Sequence, residues 1–169
     1  MTDKITQAEA LRLFAYDPET GIVTRRVKTG QNTKVGDALL TKKSDGYLWV
    51  QIKGKRYTVH RIIWLMVFGH WPNVIDHING KRYDNRLVNL RDVTSAENSK
   101  NMKIGRNNTS GSVGVSWHKH ARKWRARIGN GKQTDLGYFN SKTEAITARR
   151  RAEYELGFHP NHGRTAGEL

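Results

Sequence analysis

The longest uninterrupted apolar run in the chain is Ile62 to Phe68, and it sets the scale of what this sequence can build. The run is far too short to cross a bilayer, which takes about 20 apolar residues in a helix. It suits a short buried helix that stops at Gly69, ahead of Trp71-Pro72. Hydrophobic residues make up 36% of the 169, enough for a core but not a large one, so two or three compact modules are expected. The chain has no cysteine. Neither disulfides nor Cys-based zinc can staple a small module, and each must hold by its own packing or by contact with its neighbours.

Charge narrows the partner. The 30 Lys and Arg against 15 Asp and Glu give a formal net charge of +15, which predicts salt-dependent attraction to a polyanion. Nucleic acid is the expected partner, with no membrane span and no small-molecule substrate. Met1-Thr2-Asp3-Lys4 lacks the apolar stretch of a signal peptide, so a soluble intracellular protein is expected, in a host cytoplasm if a phage encodes it.

The chain shows no internal repeat. Ala8 to Phe14 has helical apolar spacing, and Asp17-Pro18-Glu19-Thr20-Gly21 reads as a turn into a short strand at Ile22-Val23-Thr24. Residues 46–52 and 57–60 read as two strands about a Lys-Gly turn. Val74 to His77 is a strand candidate, and Asn79-Gly80 a tight turn. Thr94-Ser95-Ala96-Glu97 fits a capping box, so a helix should start there with Asn98 in its first turn. Lys103 to Gly114 is polar and basic, the composition of a mobile linker. Three strand candidates follow, at 113–117, 124–128 and 134–138, and then a helix from Lys142 to about Leu156.

The densest chemistry lies between Asp76 and Asn98. Asp76-His77-Ile78-Asn79-Gly80, Asp84-Asn85, Asn89-Leu90 and Glu97-Asn98 gather a carboxylate, an imidazole and several amides. A divalent ion such as Mg²⁺ takes one or two protein oxygens and fills its remaining positions with water and phosphate. Asp76 and an Asn can supply those oxygens. His77 is the side-chain type able to take a proton from water near neutral pH. Taken singly, Asn-Gly and Asp-Asn are ordinary turn residues, and a lone Asp-His pair is more often a surface salt bridge.

This segment, with the upstream His60-Arg61, resembles the HNH nuclease family, in particular the phage and intron-encoded HNH homing endonucleases with Asn at the third motif position. The resemblance implies two strands and a helix clamped around one divalent ion, Mg²⁺ in the first instance and Mn²⁺ as the alternative. It further implies that Asp76 and Asn98 bind the metal, that His77 is the general base, and that Asn89 holds the loop against the catalytic strand. His60 is either a second imidazole near the phosphate or a hydrogen-bonded packing residue, the second being the commoner fate of such a histidine. Arg61 either touches a phosphate or pairs with Asp84 or Asp92.

The third piece resembles an AP2 DNA-binding domain in Gly114-Val115, residues 123–128, residues 136–139, Thr143-Glu144-Ala145 and Ala148. Alternation puts Trp124, Ala126 and Ile128 on one strand face, able to pack on a helix through Ala145 and Ala148, and leaves Arg125 and Arg127 on the other. Ser116, His118 and Gln133 would flank those arginines on a basic face suited to a major groove. Of Arg149-Arg150-Arg151, helix periodicity leaves at least two solvated.

The resulting expectation is an α+β protein in which a ββα-metal HNH core at 58–102 follows a hairpin-rich module at 1–57. A linker at 103–112, an AP2-like three-stranded sheet plus helix at 113–158 and a tail at 159–169 complete it. Its expected activity is that of a metal-dependent, homing-type endonuclease on double-stranded DNA. The alternative is a non-catalytic, sequence-specific DNA-binding regulator; an RNA-binding role is weaker, because no aromatic-rich strand is present to stack single-stranded bases.

Overall fold

The structure, a computed structural model, describes residues 4–102, 104–105, 107–130, 132–160 and 162–163. It divides into two compact units, Met1–Val93 and Thr94–Leu169. The sequence-based boundary after residue 57 falls inside the first unit, and the one after 102 inside the second.

The first unit opens with helix α1 (Gln7–Leu13), whose N-cap Thr6 accepts the Glu9 N–H through its hydroxyl. Three antiparallel pairs follow: β1 (Phe14–Tyr16) with β2 (Val23–Arg25), β3 (Trp49–Ile52) with β4 (Lys55–Thr58), and β5 (Val74–His77) with β6 (Leu90–Val93). Between the second and third pairs runs α2 (Val59–Phe68), closed by the Gly69 N–H on the Leu65 carbonyl. The apolar run therefore becomes a buried helix, as its length suggests, and it starts three residues earlier than the run because Val59 and His60 are buried too. One core holds this unit together. Ala10, Leu13 and Phe14 meet Val50, Ile52, Val59, Ile62, Ile63, Ile75 and Leu90 in it, so both strands of the β5–β6 hairpin share a core with the N-terminal hairpins.

The first hairpin also touches the loop between β5 and β6. The Tyr16 hydroxyl donates to the Asn85 carbonyl at 2.9 Å, and Leu87 N–H reaches the Pro18 carbonyl at 3.4 Å. At Gly21, with φ of +75°, a Cβ would lie 2.5 Å from the Arg86 nitrogen. Only glycine allows both that backbone angle and that approach.

The second unit holds α3 (Ser95–Ser99), a three-stranded antiparallel sheet in the order β7 (Val115–His118), β8 (Lys123–Asn130), β9 (Lys132–Phe139), and α4 (Lys142–Glu155). Both helices begin with full capping boxes, Thr94 with Glu97 and Ser141 with Glu144. Val115, Ala126 and Ala145 form the core, with Trp124, Leu136, Phe139 and Ile146 packed against it. One packing expectation needs correction: Ala148 is half-buried, and α4 instead buries Ala145, Arg149 and Ala152. Arg149 is 3% exposed, because the sheet bulges between Ala126 and Arg127 and offers it the Arg127 carbonyl at 2.6 Å. Its Nε donates to Glu153 at 2.7 Å. Gly114, at φ +71°, fits against the same carbonyl where a side chain would collide. Arg150 and Arg151 are exposed.

The stretch expected as a mobile linker also differs from that reading. Asn108 Nδ2 and the Ser110 hydroxyl both donate to the Ser112 carbonyl at 2.8 Å, and Gly111 N–H donates to Asn108 Oδ1 at 2.7 Å. Side chains of Asn and Ser that look like linker composition here satisfy backbone groups and fix a turn; Lys103 and Arg106 lie outside the described residues. Among the described residues, no helix is long and apolar enough to cross a membrane.

Gly21→Ala should lower stability by about 1–3 kcal/mol, from a strained positive φ and a backbone clash. Urea denaturation checks this; an unchanged midpoint would mean that the turn does not bear on the Asn85-Arg86 backbone.

Candidate active site in the first unit

β5 and β6 pair with Asp76 opposite Arg91 and His77 opposite Leu90. Cross-strand neighbours lie close enough to interact, and Arg91 takes Asp76 Oδ2 with Nε at 2.9 Å and Nη2 at 2.6 Å. Asp76 is buried, and the two-pronged guanidinium contact meets its charge and fixes its orientation. No such partner was read from the sequence, because the long loop between β5 and β6 leaves their register open.

Past the strand, the chain is held by amides. Asn89 Oδ1 accepts the Asn79 N–H at 2.9 Å, and Asn89 Nδ2 donates to the Asp84 carbonyl at 2.7 Å. Asn79 Nδ2 donates to Asp84 Oδ2 at 2.7 Å, and its Oδ1 accepts the Lys81 N–H at 2.8 Å. Asp84 also takes Arg86 through Nε at 2.9 Å and Nη2 at 2.7 Å. That guanidinium, with Asn79, holds the Asp84 carboxyl down at about 2. The loop from 78 to 89 is thereby closed by three side chains that the sequence presents as turn formers.

His77 lies 3% exposed, with Nε2 3.1 Å from Asn85 Oδ1. Asn85 is itself buried; its role went unassigned in the sequence, where it is one Asn among several. An amide oxygen at Nε2 places the imidazole proton there and the lone pair on Nδ1. Burial pushes the His77 pKa below its ordinary value, against the raising effect of Asn85 and of the Asp76 and Asp84 charges. The ring is therefore neutral at pH 7, the form a base requires.

Two further rings surround it. His60 stands edge-on to His77 with centroids 5.1 Å apart, and Tyr47 lies 4.9 Å from His60 and 5.8 Å from His77. The Arg82 guanidinium covers Tyr47 at 4.9 Å. His60 Nε2 meets the Thr58 hydroxyl at 3.2 Å. Burial, with His77 and Arg61 nearby, drives its pKa down to about 3. Two buried polar atoms on the residues flanking His77, Nδ1 of His60 and Nδ2 of Asn85, find no partner within the described protein. A buried polar atom so left costs about 1–3 kcal/mol, and such atoms point to water, ion or substrate at a site.

Arg61 does not make the expected pair with Asp84 or Asp92. Its Nη2 donates to the Pro72 carbonyl at 2.8 Å and Nη1 to that of Asn73 at 3.1 Å, while Asp84 pairs with Arg86 and Asp92 accepts the Asn73 and Val74 N–H groups. The carbonyls after α2 turn toward the helix flank and offer a nearer acceptor pair.

The remaining expected site residues belong to the second unit. Asn98 is the fourth residue of α3 and half-buried. Arg125 is paired through Nε and Nη2 with Asp135, both at 2.6 Å. Arg127 Nη1 donates to Gln133 Oε1 at 3.2 Å. Ser116 sits opposite Arg125 in the β7–β8 register. The His118 ring stands edge-on to Tyr138 at 5.2 Å, and its Nδ1 accepts the Ala121 N–H.

Two histidines neutral in the fold take up protons once unfolded, near their ordinary value of 6.5. The unfolded state binds more protons below that pH, so stability falls as pH drops from 6.5 toward the depressed folded values. The expected loss reaches about 1.4 kcal/mol per pH unit for each histidine. Urea midpoints at pH 6.5 and 5 should shift accordingly, and less in His60→Asn; an identical shift in that variant would remove His60 from the linkage.

Residues 57–100 match the HNH endonuclease family model, HNH_3, a span that contains β5, the loop, β6 and α3. Over 77 residues the chain is 42% identical to Protein 3.8 of Escherichia phage T7, a stretch covering 44% of this chain and 64% of the phage protein. It thus spans less than two thirds of that relative's length. No solved structure matches. The buried Asp76, His77 and Asn89 accordingly lie in the segment, residues 57–100, that matches the HNH endonuclease family model.

Proposed function

We propose that this chain is a divalent-metal-dependent DNA endonuclease of the homing type, with His77 as general base and the β7–β9 sheet as an AP2-like reader of duplex DNA. The observation that carries the reading is the state of His77. It is neutral, buried next to the Arg91-paired Asp76, and donates its Nε2 proton to Asn85. A neutral imidazole with its Nδ1 lone pair can take a proton from a water attacking a phosphodiester. The imidazolium so formed keeps its Nε2–H on Asn85 and is stabilised by the Asp76 and Asp84 charges.

Among the described residues no three His, Cys, Asp or Glu side chains gather as a cage. The Asp76 carboxylate is a hard oxygen donor of the kind that suits Mg²⁺ or Mn²⁺ completed by water and phosphate oxygens, and the Asn98 amide oxygen, expected from the sequence as a second ligand, is of the same kind. When bound, such an ion offsets charge on the nonbridging and departing oxygens. Asp76 is held ready for it by Arg91, and Asn89 fixes the loop that follows His77.

On the reader sheet, Arg125 and Arg127 supply the cations, and Ser116, His118 and Gln133 the flanking polar groups. Asp135 matches the Arg125 charge there, holding the guanidinium's pKa up while its own carboxyl is held down. A rival reading, a non-catalytic DNA-binding regulator, draws on the Asp76–Arg91 pair, in which the carboxylate charge is already met by a side chain.

Plasmid nicking with Mg²⁺ or Mn²⁺, and with chelator as control, separates the two. The expected result is metal-dependent nicking that His77→Ala reduces at least a hundredfold while DNA affinity stays within a few-fold. Cleavage retained in that variant would remove His77 from the base role, and no nicking by the parent would favour the regulator. Asp135→Asn should raise duplex affinity several-fold at low salt in a filter-binding titration, by releasing Arg125 to a phosphate or base. Weaker binding would place the DNA elsewhere.

A further inference from the structure

The β3–β4 hairpin carries two faces of different character. Its register pairs Trp49 with Thr58 and Gln51 with Arg56, so alternation sets these four on one face, while Val50 and Ile52 are buried in the core. A cleft lies on each side of that outer face. The larger, about 570 Å³, is lined by Arg25, Lys43, Lys53 and Arg56 together with hydroxyls such as Thr33. The smaller, about 270 Å³, is lined by Lys4, Arg56, Tyr57, Arg61 and Trp71. Trp49 and Arg56 belong to both.

No Asp or Glu lines either cleft. Lys53 pairs with Glu9 at 2.7 Å, and Asp45 lies near the rim, where it holds the Trp49 indole N–H at 3.3 Å. Among the described residues, Lys4, Arg25, Lys43, Arg56 and Arg61 have no carboxylate within salt-bridge distance. Elsewhere in the chain Arg86, Arg91, Arg125, Arg149 and Arg151 do. Tyr57 and Trp71 stack with centroids 5.6 Å apart, and Lys4 and Arg61 stand over the Trp71 ring at 5.4 and 5.9 Å. Unmatched cations in a concave, hydroxyl-lined strip focus field toward an extended anion, and the aromatic rings between them give deoxyribose faces an apolar surface to pack on.

We infer that the outer face of the β3–β4 hairpin and its two flanking clefts form a binding surface for the sugar–phosphate backbone of duplex DNA, separate from the His77 site and from the β7–β9 sheet. The inference rests on the reading of the chain as a DNA-acting enzyme and adds to it a contact that begins N-terminal to the segment matching the HNH family, at Arg25, Lys43 and Trp49, and continues into it at Tyr57, Arg61 and Trp71. Phosphates occupy the Lys43–Arg56 cleft, and Trp49 forms the ridge between the two clefts. Such contacts position the duplex without reading its sequence.

The test uses the full chain and a labelled duplex, with affinity measured by fluorescence anisotropy across salt concentrations. Lys43→Gln/Arg56→Gln alters two exposed side chains and should lower affinity about tenfold or more at low salt and flatten the log–log salt slope by about 1.8, the value for two phosphate contacts. Arg150→Gln/Arg151→Gln removes equal charge from an exposed helix face and should change the slope by much less. Equal losses in the two doubles would reduce the effect to net charge and overturn the proposal, as would tighter competition by duplex RNA than by duplex DNA. Acetylation of Lys43 in the unsubstituted protein, read by mass spectrometry, should be protected by DNA; an unprotected Lys43 would equally overturn it. If the slope falls as expected while the parent protein nicks nothing, the surface stands and the endonuclease reading fails. If the parent nicks and the slope is unchanged, the reverse holds.

Discussion

Burying His77 is the constraint on which the first unit turns. A neutral imidazole taken out of water needs an acceptor for its N–H, and Asn85 supplies one from a position that is itself buried. That fixes Asn85 in turn: its carbonyl is tied to the Tyr16 hydroxyl, and burial pushes the Tyr16 phenol up to about 12, so it stays a donor at any physiological pH. The loop must then present Asn85 at one height above β5, and the amides of Asn79 and Asn89 with the Asp84 carboxylate set that height. A chain of hydrogen bonds thus runs from the first hairpin through the loop to the imidazole, and the N-terminal residues are structural support for the site as much as a module before it.

How much of this was legible in the sequence depends on whether the signal was local. The capping box at Thr94 and Glu97, the strand at Val74–His77 and the helical run from Ile62 to Phe68 were readable because caps and periodicity act within a few residues, whereas Val59 and His60, read as strand, form the first turn of that helix. The group Asp76, His77 and Asn89 stood out by type and spacing. What stayed hidden was partnership. Arg91 looks like any strand arginine until the register puts it opposite Asp76. Asn85 and Asn89 are indistinguishable as turn residues until one is seen to hold the imidazole and the other the loop. Arg61 turned to two backbone carbonyls because the chain after α2 bends back along the helix, a tertiary fact with no local trace.

The second unit teaches the same point through a charge. Ala148 suits a helix packed on a sheet, and arginine does not, since an unpaired buried guanidinium is very costly. Arg149 is buried all the same, because the bulge at Ala126 and Arg127 frees a carbonyl and Glu153 stands one turn along α4. Gly114 keeps the backbone near enough for this to close. A β-bulge cannot be read from the period-two pattern that locates a strand, so neither could the residue that depends on it.

These pairings change what the net charge of +15 means. Arg86, Arg91, Arg125 and Arg149 each hold a carboxylate, and a matched cation adds little to the field felt by an approaching polyanion. The charge left to act lies on residues such as Lys43 and Arg56, whose side chains line clefts free of Asp and Glu. Counting basic residues identifies the class of partner. Subtracting those already committed within the fold says which surface meets it first, and in the first unit that subtraction leads to the outer face of β3 and β4 rather than to the β5–β6 hairpin, where the Asp76 carboxylate and its arginine offset each other.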